Sequence, residues 1–382
     1  MIKENFVEYI GDSIHDNWEK LALSDFNGED FTYEQVANYI AKAHLLFEKT
    51  GVKKGDKIAL IGKNSAKWGI SFLATVTYGA VIVPILPDFL AKDVYKIVNH
   101  SDAKFLFGAG HIINNFDFDE MPDLEGIYSL KDFSLILSRK DIVSETDKNI
   151  DSYMEEKYSG GFRKELFSLP KTDNSELAEI NYTSGTTGNS KGVMLLHNSL
   201  AANVKYAREN MPLRSGDELV SFLPLAHAYG LAFEFLFPFS LGVHIHFLTK
   251  TPTPQIITAA FQKIKPRLIL SVPLVIEKIY KKRIMPQVEV QPVKTLLKIP
   301  GINNIIKKKV LAGINDAFGG NFVEIVIGGA ALSDEIEKFF KEIKFPFTIG
   351  YGMTECGPLV AYAPWTEMRI GSCGRSVDSL EV

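Results

Sequence analysis

Features of secreted and disulfide-bonded proteins are nearly absent from this sequence. It has two cysteines, Cys356 and Cys373, in 382 residues, so a disulfide framework is excluded and a reducing compartment fits best. The first residues lack the basic start and apolar core of a signal peptide. The 46 acidic residues outnumber the 42 basic ones, and the net charge of −4 argues against general nucleic-acid binding. These absences predict a cytoplasmic protein that does not bind nucleic acid.

An uninterrupted membrane-spanning segment is also missing. Residues 69–87 carry no charge and are nearly long enough to span a bilayer. However, Gly79 and Pro84 divide them, and residues 80–85 are rich in β-branched side chains, so we expect a helix, a turn and a buried strand. Residues 219–248 contain two prolines, three histidines and Glu234, which indicates core and a lined cavity rather than a span.

The sequence does contain the alternation of strands and helices that is typical of α/β proteins. A capping box at Thr32 and Gln35 predicts the start of the first clear helix. Other helices are expected over 66–78, 91–99 and 197–210, and strands over 57–62, 80–85, 104–107, 177–182, 193–196, 219–223, 267–272 and 322–327. Residues 110–175 are more polar and are expected to contain a partly exposed connection. The pattern as a whole predicts a parallel sheet covered by helices.

The most specific local signal lies between Tyr182 and Val193, where small hydroxyl residues and glycines precede Lys191. Such a segment can fold its backbone N–H groups around an anion, while Lys191 adds a positive charge. The hydroxyl donors are Ser184, Thr186 and Thr187. We therefore interpret residues 183–191 as a phosphate-binding loop, which we call the cradle.

Two common nucleotide motifs are excluded for the cradle. Lys191 lies between Ser190 and Gly192, where a Walker A motif has glycine before the lysine and serine or threonine after it. No Gly-x-Gly-x-x-Gly fingerprint follows a strand anywhere in the chain. A solvated loop that merely joins two elements is the alternative. The flanking strands, of which 193–196 should be buried, favour a ligand loop held between rigid pieces.

Four further patches carry chemistry. Residues 222–230 place His227 and Tyr229 just after a strand, although an isolated histidine is also typical of a core. Residues 328–332 form a small-residue turn against which a flat ring can lie. Residues 350–355 combine an aromatic ring, a hydroxyl and a carboxylate, which suit adenine, phosphate and Mg²⁺. Residues 371–375 form a last glycine-rich turn.

In their order and spacing, the cradle and these patches resemble the adenylate-forming superfamily, which includes acyl-CoA synthetases, luciferases and peptide-synthetase adenylation domains. Residues 55–60 and 78–84 also look like sequence of this family. Residues 271–280 and the insertion after them are most similar to bacterial long-chain fatty acyl-CoA synthetases. The resemblance therefore covers most of the chain.

The resemblance implies a role for each matching residue. The β- and γ-phosphates of ATP would be held by the cradle residues Thr183, Ser184, Gly185, Thr186, Thr187, Gly188 and Lys191. Adenine and the α-phosphate would be bound by Gly329, Ala330, Tyr351, Gly352 and Thr354, and Mg²⁺ by Glu355. The acyl pocket would be formed by His227, Tyr229, Met353 and Gly374. The catalytic set implied is Lys191, His227, Thr354 and Glu355.

The resemblance also implies a fold and a reaction. We expect the large N-terminal domain of the adenylate-forming fold over 1–382, with two mainly parallel sheets packed with helices in layers. Its approximate parts are a first α/β unit (1–175), a second unit with the ATP loops (176–355) and the start of a small β-barrel (356–382). The implied reaction is ATP-dependent activation of a medium- or long-chain fatty acid to acyl-adenylate and then acyl-CoA, with release of AMP and pyrophosphate. ATP, Mg²⁺ and coenzyme A are the expected cofactors and substrates.

Several departures keep other hypotheses open. Ser190 stands where the family usually has proline, and Leu274 where the long-chain group often has arginine. The family's ribose-binding aspartate, hinge and C-terminal domain with a catalytic lysine would lie beyond Val382, so we expect this chain to have little activity. An apolar wall favours a fatty acid over an amino acid, and its residues are Leu225, Ala226, Tyr229, Leu231, Phe233, Phe235 and Phe237. Alternatives are adenylation of an amino or aryl acid, with Glu234 as the candidate partner of an amine, or an inactive nucleotide-binding module.

A basic region between Lys278 and Lys309 has two readings. It contains nine basic residues and one acidic residue, Glu289. Such an excess of positive charge suits an anionic cofactor or peripheral contact with the inner membrane surface. A solvated helical surface whose lysines keep the protein soluble is the alternative.

Overall fold

The computed structural model describes residues 1–184, 190–288, 291 and 302–378. In chain order its strands are β1 Leu21–Asp25, β2 Asp30–Thr32, β3 Lys57–Ile61, β4 Val81–Ile85, β5 Ala103–Gly108, β6 Gly126–Ser129, β7 Leu135–Ser138, β8 Leu177–Ser184, β9 Ser190–Leu196, β10 Glu218–Ser221, β11 His244–Phe247, β12 Leu268–Ser271, β13 Glu324–Ile327, β14 Phe347–Ile349, β15 Tyr351–Gly352, β16 Leu359–Tyr362 and β17 Arg375–Ser376.

The α-helices in the same residues are α1 Phe6–Asp16, α2 Tyr33–Lys49, α3 Ala66–Tyr78, α4 Ala91–His100, α5 Gly110–Ile113, α6 Asp141–Lys157, α7 His197–Asn210, α8 Ala228–Gly230, α9 Phe237–Leu241, α10 Pro254–Ile264, α11 Pro273–Ile279, α12 Met285–Val288, α13 Ile302–Ala317 and α14 Asp334–Glu342. Two π-helical segments, Leu231–Leu236 and Tyr280–Ile284, continue α8 into α9 and α11 into α12. Short 3-10 turns occupy Phe118–Glu120, Lys164–Leu166 and Thr354–Cys356.

The largest sheet has the strand order β7-β6-β5-β3-β4-β8-β9. Its five central strands pair in parallel, while the edge strands β7 and β9 are antiparallel to their neighbours. All five residues of β4 are buried, as expected for a parallel strand covered on both faces. The antiparallel β8–β9 hairpin forms one edge of the sheet, and the described cradle residues Thr183, Ser184, Ser190 and Lys191 pair at one end of it.

Parallel strands occur in two further sheets. The order β10-β11-β1-β2 joins strands from both sides of residue 175, and β12-β13-β14 is parallel throughout. The α/β class with helices packed on parallel strands is confirmed, but the parallel pairing is spread over three sheets where two were expected. Within residues 351–378, β15, β16 and β17 form an antiparallel sheet and no closed barrel.

Most local predictions are confirmed. Thr32 Oγ1 accepts from the Gln35 N–H at 3.2 Å, and Gln35 Oε1 accepts from the Thr32 N–H at 2.8 Å, so the capping box is present. Residues 66–87 form α3 and β4, with Gly79 in the left-handed conformation between them (φ 91°). No helix in the described ranges is long and apolar enough to cross a membrane.

One local prediction is wrong, and one stretch is more structured than expected. Residues 193–196 were expected to be a buried strand, but β9 is an edge strand that begins at Ser190, and Met194 on it is 69% exposed. Residues 110–175 contain the expected partly exposed connection, from residue 158 onward, but before it they form β6, β7 and the 17-residue helix α6. The helix was missed because its outer face is polar and only a narrow stripe, Val143, Thr146 and Ile150, is buried.

Candidate functional site

Three of the four patches selected from the sequence, 222–230, 328–332 and 350–355, meet around one cavity of about 390 Å³. Its lining includes seven of the predicted site residues: His227, Tyr229, Gly329, Tyr351, Gly352, Met353 and Thr354. They come from three different sheets or connections, so their meeting is a result of the tertiary fold. Ala330, Glu355 and Gly374 are exposed and lie outside this lining.

The cradle hairpin is placed beside the predicted metal carboxylate. In the β8–β9 pair, Thr183 lies opposite Lys191, and the Lys191 side chain is exposed. Strand β9 packs against the 354–356 turn, which carries Thr354 and Glu355. The hairpin is tight at Gly192, where an added Cβ would lie 2.8 Å from Ile180 Cγ2. The predicted residues Gly185, Thr186, Thr187 and Gly188 and the side chain of Ser184 lie outside the described residues.

Close backbone contacts shape the 350–355 turn. The Met353 N–H donates to the Pro358 carbonyl at 2.9 Å, and the Leu359 N–H donates to Asn203 Oδ1 at 2.9 Å. A Cβ at Gly352 would lie 2.4 Å from the Pro358 carbonyl oxygen, so only glycine fits there. Tyr351 is 52% exposed, which leaves its ring free to stack on a flat ligand.

The small-residue turn after β13 also needs its glycines. Gly329 has φ 85°, a left-handed conformation that favours glycine. A Cβ at Gly328 would lie 3.1 Å from the Tyr229 ring. Tyr229 itself donates its hydroxyl to the Val326 carbonyl at 3.1 Å, and burial raises the pKa of this hydroxyl. Tyr229 therefore presents its ring to the cavity, and its hydroxyl holds α8 against β13.

The loop that carries His227 is anchored by three buried polar side chains. Asn64 Nδ2 donates to the Leu223 carbonyl at 2.7 Å, and Asn64 Oδ1 accepts from the Leu225 N–H at 3.1 Å. Asn181, on the cradle strand β8, donates to the Ala226 carbonyl at 3.1 Å and to Glu179 Oε1 at 2.8 Å. Strand β8, which leads into the cradle, is thus joined directly to the His227 loop through Asn181.

Glu234 is the third anchor of this loop. Its Oε2 accepts from the Phe222 and Leu223 N–H groups, each at 2.8 Å, and from Ser221 Oγ at 3.1 Å. The residue is fully buried, and this burial raises the pKa of its carboxyl well above the ordinary value despite the three hydrogen bonds. Glu234 does not line the cavity, so it is not placed to bind an amine there.

Sequence reasoning missed these anchors and misplaced much of the expected apolar wall. Asn64 and Asn181 are single polar residues without a motif, although an acid such as Glu234 inside an apolar run is a signal of a buried anchor. The aromatic-rich run 225–237 was expected to face the acyl group. Within it only Tyr229 and Phe233 supply large apolar surface to the cavity, while Leu225, Leu231, Phe235 and Phe237 are buried in the core.

His227 lies at the rim of the cavity with an exposed side chain. The surrounding protein displaces part of its water shell, and this desolvation lowers the pKa of the imidazole. The neutral ring is therefore the form favoured near neutral pH. A neutral histidine at this position can donate or accept a hydrogen bond without adding charge to the cavity.

A model of the family described as "AMP-binding enzyme" matches residues 12–382. The chain belongs to the AMP-binding enzyme family. The predicted resemblance to adenylate-forming enzymes is confirmed by this match.

Proteins similar to this chain include long-chain fatty acid ligases. The chain is 28% identical over 375 residues to the long-chain-fatty-acid–CoA ligase FadD15 of Mycobacterium bovis, covering 91% of this chain and 60% of that relative. The fold is similar to that of an anthranilate CoA ligase solved with anthranoyl-AMP (TM-score 0.74, 18% identity, 98% of this chain and 64% of that one). It is also similar to a long-chain-fatty-acid-CoA ligase, FadD1, from Archaeoglobus fulgidus (TM-score 0.72, 18% identity, 98% and 69%). The chain therefore spans about 60% of the length of the curated relative.

Proposed function

We propose that this chain is the ATP- and acid-binding part of an AMP-forming acyl-CoA synthetase that activates a medium- or long-chain fatty acid. The observation that carries the proposal is the single cavity that His227, Gly329, Tyr351 and Thr354 share beside the cradle hairpin. Family membership supports the adenylate chemistry, and the similarity to FadD15 supports a fatty acid as the substrate.

In the proposed reaction, a carboxylate oxygen of the acid attacks the α-phosphorus of ATP. The bond to pyrophosphate breaks, and acyl-adenylate forms. Both reactants are anionic, so the site has to supply positive charge and hydrogen-bond donors. Lys191 and the cradle would hold the β- and γ-phosphates, Thr354 would contact the α-phosphate, and His227 would orient the acid. In a second step the coenzyme A thiolate attacks the acyl carbon, and AMP leaves.

The residues present fit a magnesium ion. Glu355 is an exposed carboxylate on the turn that packs against β9, the strand that carries Lys191. Mg²⁺ prefers oxygen ligands and is usually shared between one or two carboxylates and substrate phosphates. When bound, it would neutralise phosphate charge during adenylate formation. Glu355 would be its protein ligand.

The apolar part of the cavity supports a fatty acid rather than an amino acid. Met211, Phe233, Val272, Met353 and Leu359 line it, together with the ring of Tyr229. Glu234, the candidate amine partner from the sequence, is fully buried and does not line the cavity, and its Oε2 already accepts from two backbone N–H groups. Cys356 and Cys373 are half-buried and have no part in the proposed steps.

Acyl-adenylate analogues test the proposal, because their binding requires no turnover. The analogues would be N-acylsulfamoyl adenosines that carry fatty acyl groups from acetyl to palmitoyl, a benzoyl group or a phenylalanyl group. Each would be titrated into the chain and followed by calorimetry. We expect affinity to rise with the length of the fatty acyl chain. Tighter binding of the benzoyl or aminoacyl analogue would instead support the aryl or amino acid hypothesis, and no binding of any analogue would contradict the proposed function.

A further inference from the structure

Three side chains of types that can bind metals lie close together on the β10-β11-β1-β2 sheet, away from the cavity. Glu218 begins β10, and His244 and His246 lie on β11. In the parallel register Glu218 is opposite His244. Because side chains alternate along a strand, His244 and His246 share the face of the sheet on which Glu218 lies. None of the three lines the cavity.

The ligand atoms of this cluster are close enough to share one ion. His244 Nδ1 lies 3.1 Å and His246 Nε2 lies 2.5 Å from the same carboxylate oxygen, Glu218 Oε2. The three atoms lie within 4.8 Å of one another, and the two imidazole centroids are 4.0 Å apart. Two rings on one strand therefore converge on one carboxylate of the neighbouring strand.

The first histidine also has a partner behind it. His244 Nε2 lies 2.6 Å from Ser24 Oγ, on the adjacent strand β1. Histidines that bind metals usually use their second ring nitrogen in this way, because the hydrogen bond fixes the ring and its tautomer. The opposite face of the sheet carries fully buried Leu219, Ile245 and Phe247, so the strands that hold the ligands are firmly packed.

Solvent reaches the cluster on the side of the Glu218 carboxylate. The Glu218 side chain is 41% exposed, whereas those of His244 and His246 are 12% and 16% exposed. An ion can therefore enter beside Glu218, and a water molecule can complete its coordination. The rings are largely shielded, which strengthens their interaction with a charged ion.

We propose that Glu218, His244 and His246 bind one divalent transition-metal ion such as Zn²⁺, with a solvent molecule as an additional ligand. Two imidazoles and a carboxylate are donors typical of zinc and its neighbours, whereas Mg²⁺ prefers oxygen ligands alone. This site is thus distinct from the magnesium site expected at Glu355, and it does not depend on the proposed activity.

The geometry fits with a small adjustment. At zinc bond lengths of about 2.1 Å, tetrahedral ligand atoms lie about 3.4 Å apart. The His244–Glu218 spacing of 3.1 Å is already close to this value. The His246–Glu218 spacing of 2.5 Å has to widen by about 0.9 Å. Rotation of the partly exposed Glu218 side chain can supply this change.

Metal titration of the full chain, prepared without an affinity tag and treated with a chelator, tests the proposal. ZnCl₂ would be titrated by calorimetry, and CoCl₂ would be followed by its visible absorption. We expect one Zn²⁺ per chain and a tetrahedral Co²⁺ spectrum. The substitutions H244A, H246A and E218Q should each weaken binding at least tenfold, and Ser24→Ala should weaken it about 10-fold to 100-fold, as is usual for such outer partners.

His111→Ala is the matched control, because His111 is an exposed histidine outside this sheet. It should leave the affinity unchanged, and circular dichroism should show that each variant is folded. Because Glu218 is partly exposed, E218Q keeps the test valid even if a histidine variant fails to fold. The absence of stoichiometric Zn²⁺ binding, or equal binding by wild type, H246A and E218Q, would overturn the proposal and leave a hydrogen-bonded Glu–His–His cluster.

Discussion

Replacing Glu234 tests the anchoring of the His227 loop. Glu234 accepts two backbone N–H groups and one hydroxyl in a fully buried position. Glu234→Ala would leave the Phe222 and Leu223 N–H groups buried without an acceptor. Each such loss costs about 1–3 kcal/mol, so we expect the free energy of unfolding to fall by about 3–5 kcal/mol.

Glu234→Gln is the matched control, since its amide oxygen can still accept from both N–H groups. Burial already favours the uncharged carboxylic acid at this position, so removing the charge should cost little. The glutamine amide N–H groups would have no evident acceptor, and we expect a loss of about 1–2 kcal/mol.

Urea unfolding followed by circular dichroism measures both changes, and calorimetry with an acyl-adenylate analogue measures the effect on the cavity. Glu234→Ala should also weaken analogue binding, because Leu223, Pro224 and His227 line the cavity. The account would be refuted if Glu234→Ala unfolded within 1 kcal/mol of the wild type. It would also be refuted if Glu234→Gln were stable but lost affinity only for aminoacyl analogues, since that result would indicate an amine ligand.

Two further predictions concern the cradle strand and the 350–355 turn. Burial outweighs the Asn181 hydrogen bond and raises the pKa of Glu179 to about 7. The protonated carboxyl therefore contributes stability that is complete below about pH 4.5 and is lost as the pH rises through about 7. Wild type should therefore lose about 2–3 kcal/mol more stability between pH 5 and pH 8 than Glu179→Gln, and equal pH profiles in urea unfolding would contradict this. Gly352→Ala places a Cβ 2.4 Å from the Pro358 carbonyl oxygen, so it should lower the free energy of unfolding by about 1–3 kcal/mol and should weaken ATP binding. Gly350→Ala is the control and should be tolerated, because the nearest atom to its Cβ lies at 3.6 Å. Equal thermal stability and equal ATP affinity for the two glycine variants would count against the tight turn.

The sequence predicts local elements well where their ends carry chemical signals. Helix α3 occupies the expected residues because Ser65 caps its start and Gly79 adopts the left-handed conformation at its end. Helix α7 also has the expected bounds. The motif residues of the cavity could be selected from the sequence because glycines are required at close backbone contacts such as that of Gly352.

Long-range pairing is what the sequence does not show. Nothing local indicates that β1 pairs with β11, more than two hundred residues later, so the division into three parallel-containing sheets could not be predicted. In a run that is almost entirely apolar, the sequence does not distinguish side chains that face the core from those that face the cavity. Phe235 and Phe237 were therefore assigned to the acyl wall. Asn64 and Asn181 acquire their function only through backbone groups of a distant loop.

The central claim is that the cradle and the 350–355 turn together form a Mg²⁺-ATP site, and calorimetric titration of ATP tests it most directly. The chain should bind ATP more tightly with Mg²⁺ than without it. Glu355→Ala should abolish this Mg²⁺ dependence, while Glu335→Ala, at an exposed glutamate on α14, should preserve it. Unchanged Mg²⁺-dependent binding by Glu355→Ala would contradict the account.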